Sequence, residues 1–188
     1  MTLRVVEGVR SLRGHGSMRI VRRAILAGGH RSDFRVVEFS VQSNHVHLVH
    51  LIVEAGGAAG LSRGMLGLEV RLARRLNRAF GRRGKLFGER YQARSLRTPT
   101  EVRHAIRYVL LDHSHHVGRF ALALDHCSSA LWFEGWRIPV WPREAWQVEL
   151  LSLPGPTSVA TVWLLTTGWK QRGLLDRNEI PGPPRTPR

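Results

Sequence analysis

The largely apolar run from Phe34 to Val53, with a polar break at Gln42-Ser43-Asn44, narrows the choices of this chain more than any other stretch. Two runs rich in Val, Ile and Phe on either side of a short polar break predict a strand over Phe34–Val41, a turn at Gln42–Asn44 and a second strand over His45–Glu54. Together they make an antiparallel hairpin. Alternation along the second strand puts His45 and His47 on one face and Val46 and Leu48 on the other, and it turns His50 away from the pair. Two neutral imidazoles at this spacing can share one divalent ion, because each offers a nitrogen lone pair and the strand sets their separation. The alternative is a pair of hydrogen-bonded structural histidines.

The segments around the hairpin supply its cover. Thr2–Val6 is a short β-rich segment. Met18, Val21, Ile25 and Leu26 have helical spacing, with Ser17 as the expected N-cap and Gly28-Gly29 as the stop. After an expected flexible loop at Gly56–Gly60, Leu61, Met65, Leu68, Leu72, Leu76 and Phe80 repeat on one helical face. An extended piece surrounds Arg90–Leu96. Thr98-Pro99-Thr100-Glu101 then opens a further helix, with Thr100 as the expected cap and Val102, Ala105, Ile106, Val109 and Leu110 as its buried stripe. The order strand, helix, strand, strand, helix, strand, helix predicts an α+β sandwich: an antiparallel sheet backed on one face by helices, with the other face free for the two histidines.

Charge sets the partner class. Lys and Arg number 29 against 14 Asp and Glu, a formal net charge of +15, which favours a polyanion and, first of all, nucleic acid. The segment from Arg63 to Arg107 holds thirteen Arg or Lys and three Glu. Arg71, Arg74, Arg75, Arg78, Arg82, Arg83 and Lys85 form a helix-and-loop cluster there, followed by Arg90 and Arg94, and this is the expected phosphate-tracking surface. A merely solvated helix face is the alternative. Cys127 is the one cysteine, which excludes an intrachain disulfide and a Cys-rich zinc module. No run approaches the ~18 apolar residues of a membrane helix, and Arg4, Glu7 and Arg10 occupy the place of a signal-peptide core, so the cytoplasm is the expected location.

On the helix after Pro99, the residues Glu101, His104, Tyr108 and Asp112 fall at steps of three and four on a face distinct from the apolar stripe. A carboxylate is a hard ligand suited to Mg²⁺ or Mn²⁺, and a phenol is a possible covalent nucleophile. The only other tyrosine, Tyr91, sits in a strand-like segment with no carboxylate one turn away and is expected to pack or to stack on a base.

Three stretches together resemble the REP-associated tyrosine transposases, single-tyrosine members of the HUH nuclease superfamily. Asn44-His45-Val46-His47-Leu48-Val49 is similar to the family's Asn-His-x-His motif. Phe87–Tyr91 is similar to its Phe-x-x-x-Tyr segment, and Tyr108–His113 to the helix written Tyr-Ile-x-x-Asn-Pro. The likeness covers about residues 1–118. It implies a ferredoxin-like or RRM-like HUH sheet that cuts and rejoins single-stranded or hairpin DNA. Tyr108 would be the nucleophile, giving a 5′-phosphotyrosine and a 3′-hydroxyl. His45, His47 and Asp112 would hold the Mg²⁺ or Mn²⁺ ion. Because a phenol's ordinary pKa is about 10, Arg103 and Arg107 are expected to help lower it. A homodimer sharing the tyrosine helix in trans belongs to the same expectation. This chain has Asp112 where the family has Asn or Gln, and His113 where it has Pro. An inactive copy, or a non-catalytic RRM-like nucleic-acid-binding protein, is the alternative reading. A metal-dependent hydrolase acting through water is a third.

All six tryptophans lie beyond residue 130. Ser128-Ser129 is placed to cap a turn into Ala130-Leu131-Trp132, and Pro142–Leu151 and Thr157–Thr167 are expected as short helices. Residues 119–180 thus form a small Trp-rich helical extension, packing on the main domain or offering rings to bases. The Pro-rich residues 181–188 are expected to be disordered.

Overall fold

The computed structural model describes residues 1–44, 46–116 and 124–179. Its elements in chain order are β1 (Thr2–Arg4), α1 (His15–Gly28), β2 (His30–Arg31), β3 (Phe34–Asn44), β4 (Val46–Ala55), α2 (Gly57–Phe80), α3 (Pro99–His116), α4 (Ala145–Leu151) and α5 (Trp163–Thr166). Short 3-10 turns occupy Ala130–Trp132 and Gly168–Arg172.

The antiparallel sheet runs β1-β4-β3-β2, with the β3–β4 hairpin at its centre. Two further segments extend it through backbone hydrogen bonds. Beside β1, Thr2 N–H donates to the Gln92 carbonyl at 2.9 Å, Gln92 N–H donates back at 3.0 Å, and Val6 N–H donates to Leu86 O at 2.9 Å. Beside β3, Val41 N–H donates to Cys127 O at 2.8 Å and Ser129 N–H to Phe39 O at 2.9 Å. The outer edge of β1 and the stretch of β3 beyond β2 are thereby covered. With residues 86–92 lying next to β1, the path strand, helix, hairpin, helix, strand is consistent with a ferredoxin-like fold.

Helices cover both faces. On one, α1 and α2 pack Met18, Val21, Ile25, Met65, Leu68 and Leu72 against Leu3, Phe39, Val41, Val49 and Leu51. On the other, Ile52 meets Val102, Ile106, Val109 and Leu110 of α3, and Trp136 and Trp169 complete that second core. The expectation of one free sheet face is therefore corrected. The stripe of α3 needs apolar cover, and it finds that cover on the sheet and on the Trp-rich extension.

Several local expectations change for identifiable reasons. Residues 42–44 are strand, not turn, because Gln42, Ser43 and Asn44 pair with Leu48, His47 and Val46. Helix α1 starts at His15 with Gly14 as its N-cap, and the Ser17 hydroxyl donates to Ser11 O at 3.1 Å instead of capping. Helix α2 begins at Gly57, inside the expected loop, because tertiary contact rewards small residues there. A Cβ on Gly60 would stand 2.7 Å from the Asp33 carbonyl oxygen, and one on Gly64 would stand 2.1 Å from Phe34 Cγ. Thr98, not Thr100, caps α3: Glu101 N–H donates to Thr98 Oγ1 at 3.2 Å and Thr98 N–H to the Glu101 carboxylate at 3.2 Å. This is a capping box with Pro99 at the first helical position.

The extension is tied into the main body. The expected helix over 157–167 contracts to Trp163–Thr166, because Ser158 N–H donates to Val36 O at 2.8 Å and the Ser158 hydroxyl to Gly29 O at 2.6 Å. The helix expected over 142–151 spans Ala145–Leu151. Residues 181–188 lie outside the described residues. No helix among the described residues is long and apolar enough to cross a membrane.

Candidate functional site

Register decides which side chains of β4 can meet α3. His47 pairs with Ser43 and shares its face with Val49 and Leu51, whose neighbours are α1 and α2. His50 shares its face with Ile52, whose neighbours lie on α3. The imidazole that Tyr108 reaches is accordingly His50, with ring centroids 5.3 Å apart and planes at 87°. His45 lies outside the described residues, so its place relative to His47 is not part of this geometry.

Tyr108 is half-buried, and burial, followed by the negative charge of Asp112, pushes its phenol above the ordinary value. The expected lowering by Arg103 and Arg107 is corrected, because both guanidiniums are engaged elsewhere. Arg103 donates to the Glu179 carboxylate at 2.8 and 2.7 Å and to Gly173 O at 2.9 Å, while Arg107 stands 3.6 Å from the same carboxylate. Asp112, one turn after Tyr108, is buried.

His50 is held by the Thr2 hydroxyl, 3.1 Å from its Nδ1. Burial, helped by the nearby N-terminal ammonium, brings its pKa down to about 4, so the ring is neutral near pH 7. It belongs to a buried polar layer beneath α3 and the extension. Glu38, Ser40 and Gln42 alternate along β3 on this face at 8%, 1% and 2% exposure. Burial raises the Glu38 carboxyl to about 8, although the Ser129 hydroxyl donates to it at 2.5 Å and pulls the other way. The Ser40 hydroxyl, Gln42 Nε2 and His50 Nε2 are buried with no hydrogen-bond partner among the described residues.

The donors expected to hold a divalent ion fit in kind but not in place. His47 Nδ1 is buried without a hydrogen-bond partner, which is what an available nitrogen ligand looks like, and burial followed by Arg13 lowers its pKa. Yet His47 faces α1 and α2, whereas Asp112 projects from α3 across the sheet. The described residues therefore do not frame one cation position. Another donor group, Asp125, His126 and Cys127, has ligand atoms within 4.8 Å of one another. Its centre is taken by a protein cation, because Arg13 forks into Asp125 at 3.1 and 2.6 Å. Burial also pushes the Cys127 thiol up to about 12, far from the thiolate a metal needs.

The expected phosphate-tracking residues divide. Arg74, Arg75, Arg78, Arg83 and Lys85 are exposed on α2 and the loop after it. Arg82 is spent on structure, donating to Asn77 Oδ1 at 2.8 Å and Lys85 O at 3.1 Å. Half-buried Arg71 lies against Gly28. Arg94 pairs with Glu101 at 2.8 Å, and Arg90 lies over the Tyr91 ring at 5.6 Å. Tyr91 itself packs on the first core.

Sequence reasoning missed His50 and the polar layer, because it left the second sheet face free, placed Gln42 in a turn and gave Glu38 and Ser40 no part. It also passed over Arg19, Arg22 and Arg23 of α1, whose spacing of three and four along one helix was a legible signal. No protein-family model, curated protein or solved structure matches the chain.

Proposed function

We propose that this protein binds single-stranded or hairpin DNA and cuts and rejoins it through Tyr108, on the plan of the REP-associated tyrosine transposases that its motifs resemble. The observation that carries this reading is the position of α3. In a ferredoxin-like sandwich two helices leave one sheet face open, and here a third helix crosses that face carrying the family-like tyrosine and a carboxylate one turn on. The exposed arginines of α2 supply the phosphate contacts. Attack by the Tyr108 oxygen on phosphorus would form the phosphotyrosine bond and release a 3′-hydroxyl, and the reverse attack by a 3′-hydroxyl would restore the DNA and free the phenol. In the described arrangement the phenol is held against His50, so the reading requires α3 to release that contact, or a second copy to supply the helix.

Binding without chemistry is the second reading, and one observation favours it: His47 and Tyr108 sit on opposite sheet faces. Incubation with a single-stranded hairpin oligonucleotide and Mn²⁺ separates the two. A covalent protein–DNA adduct that disappears in Tyr108→Phe supports the transposase reading. Salt-sensitive binding with no adduct leaves only the second.

A further inference from the structure

Between α1 and the Trp-rich extension lies a cavity of about 410 Å³, within the ~300–1,000 Å³ typical of small-ligand sites. It is distinct from the Tyr108 face. Arg19, Arg22 and Arg23 enter from α1, against a single acidic residue, Glu149, so the lining carries net positive charge. The aromatic side consists of His126, which stacks on His15 at 5.5 Å and meets Trp146 edge-on at 6.0 Å, together with Trp132. Arg22 reaches across the junction: it donates to the His126 carbonyl, and its guanidinium lies 5.8 Å from the Trp132 ring centre. Two donors at this wall, Arg22 Nε and Trp132 Nε1, are buried with no hydrogen-bond partner among the described residues. Unpaired buried donors are costly, and a bound acceptor would relieve them.

We propose that this cavity is a nucleotide site, taking one unpaired base against the Trp132, Trp146 and His126 rings and its phosphate against Arg19, Arg22 and Arg23. Aromatic faces hold a base of any identity by stacking, and guanidiniums match phosphate oxygens through paired N–H donors. Neither chemistry alone accounts for a lining that has both. The inference deepens the single-strand reading above and rests on it for the source of the ligand, which is either a nucleotide within a strand or a free one.

The test uses the full-length Tyr108→Phe protein, in which no covalent step occurs, titrated calorimetrically with dAMP, deoxyadenosine and inorganic phosphate. Binding of dAMP at least tenfold tighter than either fragment is expected. Arg19→Gln with Arg23→Gln, both at exposed positions, and separately Trp146→Leu should each weaken dAMP binding roughly tenfold, at the low end of the loss of one stacked base. Unchanged circular dichroism shows that each variant has folded. A single strand containing 2-aminopurine distinguishes the sources: weakened strand binding in the same variants makes the occupant part of DNA, and unaffected strand binding makes it a free nucleotide. Binding of dAMP without any strand binding would end the single-strand reading and leave the pocket standing. The proposal is overturned if dAMP binds no better than phosphate, or if the variants change nothing.

Discussion

The Tyr108 and His50 rings stand perpendicular with their centres 5.3 Å apart, joining α3 to β4. Edge-on aromatic pairs contribute about 0.5–1.5 kcal/mol beyond the area they bury. A double-mutant cycle with Tyr108→Leu and His50→Leu, followed by urea unfolding, should return a coupling energy in that range. A coupling of zero would mean that the contact does not hold α3 in place.

Two buried groups tilt stability in opposite directions as pH changes. The His50 pKa is depressed from about 6.5 to about 4, so its contribution is present above pH 6.5 and lost as pH falls toward 4, on the order of 3 kcal/mol in full. Glu38 is raised from 4.5 to about 8, so its contribution is present below pH 4.5 and lost as pH rises through 8. Thermal unfolding of Glu38→Gln should show a smaller drop in melting temperature between pH 5 and pH 9 than the parent does. His50→Gln should flatten the acid side instead.

Gly64→Ala should destabilise the fold by about 1–3 kcal/mol, because its Cβ would overlap the Phe34 ring at the closest approach of α2 to β3. Gly67→Ala is the control. The atom it meets at 3.0 Å is the flexible end of Arg71, so the gain in helix propensity, up to about 1 kcal/mol, should offset the contact. Chemical denaturation of the two variants should order them clearly.

Replacing Arg74, Arg75 and Arg78 by Ala should weaken binding of a single strand uniformly across sequences. The slope of log affinity against log salt should become shallower by about 0.7 for each phosphate contact removed. An unchanged slope would assign these exposed arginines to solvation alone.

Arg13 and Asp125 form an ion pair at 2.6 Å, with side chains 13% and 3% exposed. Asp125→Ala would strand the guanidinium, and unfolding experiments should report a loss of about 3–5 kcal/mol. Adding Zn²⁺ should not restore it, since the neighbouring Cys127 thiol is held protonated near neutral pH by a value of about 12.

The sequence alone determined the local pieces. Period-two alternation and β-branched residues marked the hairpin, leucines at helical spacing marked α2, and Thr98-Pro99-Thr100-Glu101 marked the start of α3 within two residues of its cap. Each of these signals is carried by near neighbours along the chain. What only the tertiary structure decided was facing and burial. Glu38, Ser40 and Gln42 have the pattern of a wet face and are dry because α3 and the extension close over them; Tyr108 meets His50 and not His47 because strand register sends alternate residues to opposite sides. Arg103 and Arg107 turn to Glu179, more than seventy positions away. Pairings across such separations depend on how layers stack, and periodicity within one segment carries no record of that.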